Sequence, residues 1–483
     1  MSAPELQGSS LLRYLWRKLT SMRTALILLL LLGIASIPGS LFPQRTQSPL
    51  KVREYFETNP TTAAWMDRFY LFDVYGAPWF SAIYVLLFIS LIGCVLPRTW
   101  HYAKEIFSKP APVPNSLAQF EAHHEISAGI EEAETWLRSN RYRITKSADG
   151  ISAEKGYLRE TGNLLFHLAL IVILIGIGSS SVFGMRGEAI VTVGERFINI
   201  PTSYDNLAPG RFLNINKLQP FSITAVSFKA DYDESSGLPT DYRLTANVSD
   251  NPNSPTEMKL VRVNHPLTFG STRVYLQANG YSPLVTVRDK SGTVKFEGPV
   301  PFLPQDANLT SIGAIKVPDM DPQIGFVASL LPTAARDEVR GGFSANPQLL
   351  DPRLLVSVWQ GDLKMDSGIP QSVYRIDTTK MERIGLWGMS IGESYDFGVG
   401  TITFTGVVPW VNLQVVKDPG KQWALIGSIV AIAGLLASLF IRQRRIYIRR
   451  EDGRLIIAGL ALNRLPGLAD EIAKMVVEIG EKK

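Results

Sequence analysis

Few residues in this 483-residue chain can do chemistry, and their types narrow what that chemistry is. There are five histidines and one cysteine. One histidine, His167, sits inside GNLLFHLALIVILIGIGSS (162–180), and no Asp, Glu, Lys or Arg lies between Glu160 and Arg186. An ionisable side chain inside an apolar run is costly to keep, so it stands for a function until another use is found. Desolvation favours the neutral imidazole, whose free lone pair can bind a metal, and neutral imidazole is a good axial ligand for haem iron. At about 1.5 Å per residue, His167 lies about 9 Å along a helix from Thr161. Asn163 and Ile171 share its helical face, and Asn163 is the expected orienter of the ring. The competing use is plain: His167 hydrogen-bonds a neighbouring helix or reaches towards the headgroups. Bis-imidazole ligation at this position would need its second histidine from another chain.

The remaining candidates are weaker. Cys94 is alone, so no disulfide, CxxC pair or thiolate metal site can be built within the chain. His123 and His124 alternate across a short strand pattern and do not make a shared metal site. His265, in VNHPLTFGS, reads as structural, and His101 falls just past an apolar run. In the segment 45–73, Asn59 precedes Pro60 at the start of a helix pattern, and Trp65, Phe69 and Phe72 are expected on one face. That face reads either as an interfacial helix or, with Trp65 and Phe69, as an aromatic wall for a flat ligand. There is no GxxxxGK[ST], GxSxG or HExxH, and no glycine fingerprint following a strand. No reaction centre is offered.

The elements that hold these residues follow from hydropathy. Hydrophobic residues make up 46% of the chain and charged residues 19%, with the apolar ones concentrated in four blocks. The stretches 24–44, 74–97, 161–185 and 422–441 each have the roughly 20 apolar residues needed to cross about 30 Å of hydrocarbon. The first lacks a clean cleavage site and is expected to be a retained anchor. Lys and Arg set the orientation. Arg13, Arg17, Lys18 and Arg23 precede the first span; Arg98, Lys104 and Lys109 follow the second; Lys155 and Arg159 precede the third; RQRRIYIRR (442–450) follows the fourth. Both termini, 1–23 and 442–483, are therefore expected in the cytoplasm. The 45–73 loop and the long 186–421 segment are expected outside. A net charge of +5, placed beside the spans, gives no face for nucleic acid.

The fold class is thus a polytopic α-helical membrane protein, with four transmembrane helices and a large extracytoplasmic antiparallel β domain. EAIVTVGERFINI, FSITAVSFKADYD, YRLTANVSD, STRVYLQANGY, SPLVTVRDKSGTVKFEG and GVGTITFTGVV alternate apolar and polar residues between turn clusters. They predict a sandwich or a pair of smaller β modules, with a hairpin turn at Asp289-Lys290-Ser291-Gly292. The segment 98–160 starts with the linker KPAPVPNS. It then reads as a strand, a helix over GIEEAETWLRSN and a hairpin around Asp149-Gly150, a small cytoplasmic α+β module.

Several strings together resemble the ResB family, also called CcsB, of System II cytochrome c-type biogenesis proteins. SMRTALILLLLLGIASIPGSLFPQ (21–44) resembles the family's first span and KGYLRETGNLLFHLALIVILIG (155–176) its third, histidine included. VNHPLTFGSTRVYLQANGY (263–281) resembles a recurring outer-domain segment. VVKDPGKQWALIGSIVAIAGLLASLFIRQRR (415–445) resembles the approach to the last span, with KDPG its most specific part. The resemblance implies one subunit of a cytochrome c synthase that carries haem b outward for attachment to CxxCH of apocytochrome c. It implies a ResC/CcsA-type partner bearing a WWD segment, and thioredoxin-like thiol carriers. This chain has no adjacent tryptophans, so it is not the fused form. His167 matches the family's intramembrane histidine, which implies haem iron as its target, with the partner supplying the other axial ligand. The localisation implied is the bacterial inner membrane. A membrane insertase or assembly scaffold is the alternative, although insertases usually carry their outer domain after the first span. A sensor lacks any signalling module on the inner side.

Overall fold

The computed structural model describes residues 8–45, 47–105, 109–117, 120, 122–148, 150–233, 239–337, 341–365, 373–451, 453–461 and 467–480. The chain forms two compact units, Met1–Gly178 with Gly420–Lys483, and Ser179–Pro419.

Among the described residues, four helices are long and apolar enough to cross a membrane: Met22–Leu41, Pro78–Lys104, Leu158–Phe183 and Lys421–Phe440. A helix satisfies its own backbone groups, which is why such runs take this form in hydrocarbon. Their bounds shift from the apolar stretches for local reasons. The first helix stops at Leu41 because Pro43 follows, and Val74–Gly76 is a single 3-10 turn before the second begins at Pro78. The second helix carries Pro97 inside it and continues to Glu105.

The third and fourth helices meet backbone to backbone. A Cβ built on Gly162 would lie 2.7 Å from the Gly434 carbonyl oxygen, and one on Gly434 2.7 Å from the Phe166 nitrogen. A Cβ on Gly176 would lie 2.8 Å from the Ala424 nitrogen. Small residues let helices approach this closely where lipid gives no hydrophobic drive to associate, so van der Waals packing has to supply it. Between the first two spans, Pro49–Thr58 and Pro60–Arg68 are short helices. Gln44 ties their ends together: its amide donates to the Leu71 carbonyl (3.0 Å) and accepts from the Val74 N–H (3.0 Å).

The α+β module is larger than the sequence suggested. Its five-stranded antiparallel sheet runs in the order Ala122–Ile126, Arg454–Ala461, Arg444–Glu451, Gly150–Lys155, Arg143–Ser147. RQRRIYIRR, which flanks the fourth span with charge, is also a central strand. Its Ile446 and Ile448 are fully buried with Leu137, Ile151 and Ile457. The helices Ile130–Ser139 and Leu468–Gly480 cover that core. Segments 98–160 and 442–483, expected as separate pieces, therefore form one fold, because each alone leaves an apolar sheet face open. Buried Glu154 joins them, accepting from Gln443 (2.7 Å), Arg445 (3.3 Å) and Arg143 (3.2 Å). Asp149 of the expected turn lies outside the described residues.

The second unit is antiparallel β throughout its named ladders. Two strands of 18 residues, Thr272–Asp289 and Gly400–Lys417, pair along their length. STRVYLQANGY and SPLVTVRDKSGTVKFEG, expected as separate strands, are thus continuous. Register shifts at Leu276/Ala278 and Leu284/Val285 absorb the break that Gly280 and Pro283 signal. Each end of this ribbon serves a different core. Val274, Leu276, Leu413 and Val415 share one core with residues of a separate four-stranded sheet and with Phe221 and Phe269, whose rings stack at 3.9 Å. Val285, Val287, Ile402 and Phe404 join a five-stranded sheet around Phe326. Trp410 lies across the ribbon, its ring 2.4 Å from where a Cβ on Gly280 would sit, so only glycine fits there. The turn at Asp289–Gly292 forms as expected, with Asp289 accepting from the Ser291 and Thr293 amides. The Ser291 hydroxyl, which also donates to it (2.6 Å), and then those amides hold its carboxyl below the usual carboxylate range.

Candidate functional site

His167 is held by its own helix. Its Nδ1 lies 2.8 Å from the backbone carbonyl oxygen of Asn163, one turn back. A carbonyl oxygen only accepts, so Nδ1 carries a proton, and the tautomer this contact selects is the one that leaves the lone pair on Nε2. The group of Asn163 that meets the ring is therefore its main-chain carbonyl. The edge of the neighbouring aromatic ring completes the seat: Phe166 and His167 stand 5.2 Å apart at 87°. The imidazole is half-buried, and among the described residues Nε2 makes no hydrogen bond.

At 3.6 residues per turn, His167, Ile171, Leu174 and Gly178 share one face of the third helix. Gly162, Phe166, Ala169 and Gly176 make the other, which is closed against the fourth helix. The second helix reaches the imidazole-bearing side through tyrosines. The Tyr84 hydroxyl donates to the Leu174 carbonyl, and the Tyr102 hydroxyl donates to the Tyr157 carbonyl at 2.7 Å. His167 lies between these crossings, about 10 Å along the axis from the first and about 15 Å from the second. Such an arrangement offers one neutral nitrogen ligand. Among the described residues no group of three or more His, Cys, Asp or Glu could hold a metal ion.

Trp65 and Phe69 stack at 6.3 Å with 16° between ring planes, and both are more than half exposed (59% and 58%). Phe72 does not join them. The helix ends at Arg68, and Tyr70, at φ +61, turns the chain so that Phe72 is buried with Val52, Ala63 and Met66. The aromatic run continues through half-buried Trp79, whose indole N–H donates to the Phe69 carbonyl (3.2 Å), and half-buried Phe80 to exposed Tyr75. Trp79 and His167 are about 18 Å apart in helical rise, so the aromatic run and the imidazole are separate features. Asn59 starts its helix without a side-chain cap, its amide donating to Thr58 instead. His123, His124 and His265 are exposed, and His265 closes a tight turn with the Arg262 carbonyl (3.0 Å). Cys94 donates to the Leu91 carbonyl at 3.4 Å within its own helix.

The β domain has a cavity of about 510 Å³, lined by Ile190, Phe296, Ile315, Lys316, Asp205 and Tyr374 among others. Tyr374 donates to Asp205 (2.7 Å), which also accepts from the Ile190 amide (2.7 Å). Burial, with the Asp205 charge beside it, pushes the Tyr374 hydroxyl up, and burial pulls the Lys316 ammonium down.

Four apolar helices, an antiparallel β domain inserted between the third and fourth, and a histidine inside the third set the frame for comparison. The model of the ResB-like family matches residues 22–473. The chain belongs to the ResB-like family. It is 23% identical over 483 residues to the cytochrome c biogenesis protein CcsB of Prochlorococcus marinus, covering 96% of this chain and 98% of the relative. CcsB of a Synechococcus strain is 26% identical over 476 residues, covering 95% and 94%. CcsB of a Nostoc strain is 25% identical over 471 residues, covering 94% and 90%. This ResB-like chain therefore matches its relatives from the first span to the closing helix, including the C-terminal strands that complete the α+β module. Those strands and the glycines between helices three and four are what sequence reasoning missed. Gly162, Ala169 and Gly176, and Gly420, Gly427 and Gly434, each recur every seven residues, a signal visible in the sequence.

Proposed function

We propose that this protein acts in cytochrome c biogenesis as a membrane subunit that holds haem during its transfer to apocytochrome c. Haem is its cargo, and His167 Nε2 is one axial ligand to the iron. The carrying observation is the Nδ1–H donated to the Asn163 carbonyl, which fixes the tautomer and turns the lone pair of Nε2 outward from the helix. Membership of the ResB-like family and relatives named for cytochrome c biogenesis support the same reading.

One ligand from this chain implies a second from elsewhere, and we assign it to a ResC/CcsA-type membrane partner. In this reading the termini and the α+β module face the cytoplasm of a bacterial inner membrane, as the basic flanks favour. The β domain faces outward, where apocytochrome c would be presented with its CxxCH thiols reduced by thioredoxin-like carriers. Trp65 and Phe69 form a second, shallow aromatic surface on the outer side, suited to a flat ligand that has left the span. The chain's own part is to bind, orient and shield; no catalytic residue is assigned.

The test is genetic. Deleting the gene should abolish covalent haem staining of all c-type cytochromes, and wild-type protein should restore it while His167→Gly should not. Normal staining in the deletion strain would discard the function. Full complementation by His167→Gly would discard the ligand and leave the function standing.

A further inference from the structure

The chain before the first span forms a helix of its own, Gly8–Leu19. At 3.6 residues per turn its residues separate cleanly. Leu11, Leu12, Leu15, Trp16 and Leu19 fall on one face; Arg13 and Arg17 fall opposite, with Tyr14 and Lys18 at the border. The apolar face lies largely open: Leu12 is 69% exposed, Trp16 55% and Leu15 52%. Among the described residues, Arg13, Arg17 and Lys18 have no acidic partner, and the Lys18 ammonium sits 5.6 Å from the Tyr14 ring.

This helix ends at a fixed corner. The helix stops at Leu19: Ser21 caps the next one by accepting from the Thr24 amide (3.2 Å), and the Thr24 hydroxyl donates back to the Lys18 carbonyl (2.7 Å). The second span clamps the corner, Ser90 donating to the Leu19 carbonyl (2.6 Å) and Gly93 leaving no room for a Cβ beside Thr20. The open apolar face is thus carried to the point where the first span leaves the hydrocarbon.

We propose that Gly8–Leu19 is a membrane-surface anchor that lies along the bilayer interface, with Leu11, Leu12, Leu15 and Trp16 in the acyl boundary and its cations on anionic phospholipid headgroups. Complementarity holds on both counts: an apolar stripe that the described residues leave uncovered, with Trp and Tyr at its edges, and a cationic stripe with no acidic partner among them. Continuity with the first span delivers both to that surface. The inference does not depend on haem or on His167.

The test uses the full chain in nanodiscs, with Leu12→Cys in a Cys94→Ser background carrying one environment-sensitive fluorophore. Discs of phosphatidylcholine alone are compared with discs that include phosphatidylglycerol. The expected probe is blue-shifted and quenched by lipids spin-labelled near the headgroup. In anionic discs, replacing Arg13, Arg17 and Lys18 by Gln should each lower the seated-to-lifted ratio roughly fivefold, and added salt should act likewise. A probe open to aqueous quenchers in both disc types overturns the proposal. So does a shielded probe indifferent to lipid charge and to the Gln variants, since protein then covers the face.

Discussion

The third span has two sides built in opposite ways. Towards the fourth helix it presents Gly162, Ala169 and Gly176, and the two backbones approach until no added carbon fits. On the other side it presents His167, Ile171, Leu174 and Gly178, and the second helix reaches across with tyrosine hydroxyls. One side is optimised for closure. The other carries an imidazole whose one hydrogen bond among the described residues is to a carbonyl of its own helix. The difference sets His167 apart from the contacts that close the third helix on the fourth, and it supports the proposal that the imidazole serves a ligand.

That contrast can be broken from either side. Gly434→Leu should have the largest effect, about 1–3 kcal/mol and more if the backbones must separate, read as lost folded yield and a lower melting temperature in detergent. Gly33→Leu is its control, since a Cβ there meets nothing within 4 Å and should leave both unchanged. If the two behave alike, close packing of the third and fourth helices is not a source of stability. Tyr84→Phe removes one hydrogen bond to the Leu174 carbonyl and should cost about 1 kcal/mol, measurable in the same melt. The smallest change should come from His167→Leu in the isolated chain, within about 1 kcal/mol of wild type or slightly more stable. A large loss of stability there would show His167 to be a structural residue and sink the contrast.

How far the sequence alone reaches differs between these sides. His167 was legible because a polar residue in an apolar run stands out without any knowledge of packing. The spans were legible for the same reason, with ends displaced by Pro43, Pro97 and the turn at Val74–Gly76. The close face was written in seven-residue glycine spacing, but small residues inside an apolar run do not disturb hydropathy and so pass unnoticed. The α+β module was hidden for a different reason. Its strands Gly150–Lys155 and Arg444–Glu451 are neighbours in space but separated by the whole β domain in sequence, and RQRRIYIRR was dominated by its charge. Phe72 was misplaced because helical periodicity was extended past Arg68, where a left-handed Tyr70 reverses the chain. Local pattern reports local structure; pairing across long separations needs the burial that only the folded chain displays.

The central claim concerns one nitrogen. The most direct measurement is the visible spectrum of the chain purified with the co-expressed membrane protein proposed as its partner, as wild type and as His167→Gly, with and without added imidazole. The account predicts a Soret band with low-spin features in the wild type, its loss or weakening in the variant, and its recovery when free imidazole fills the space. A variant spectrum indistinguishable from wild type, unmoved by imidazole, would mean that the iron takes its ligands elsewhere.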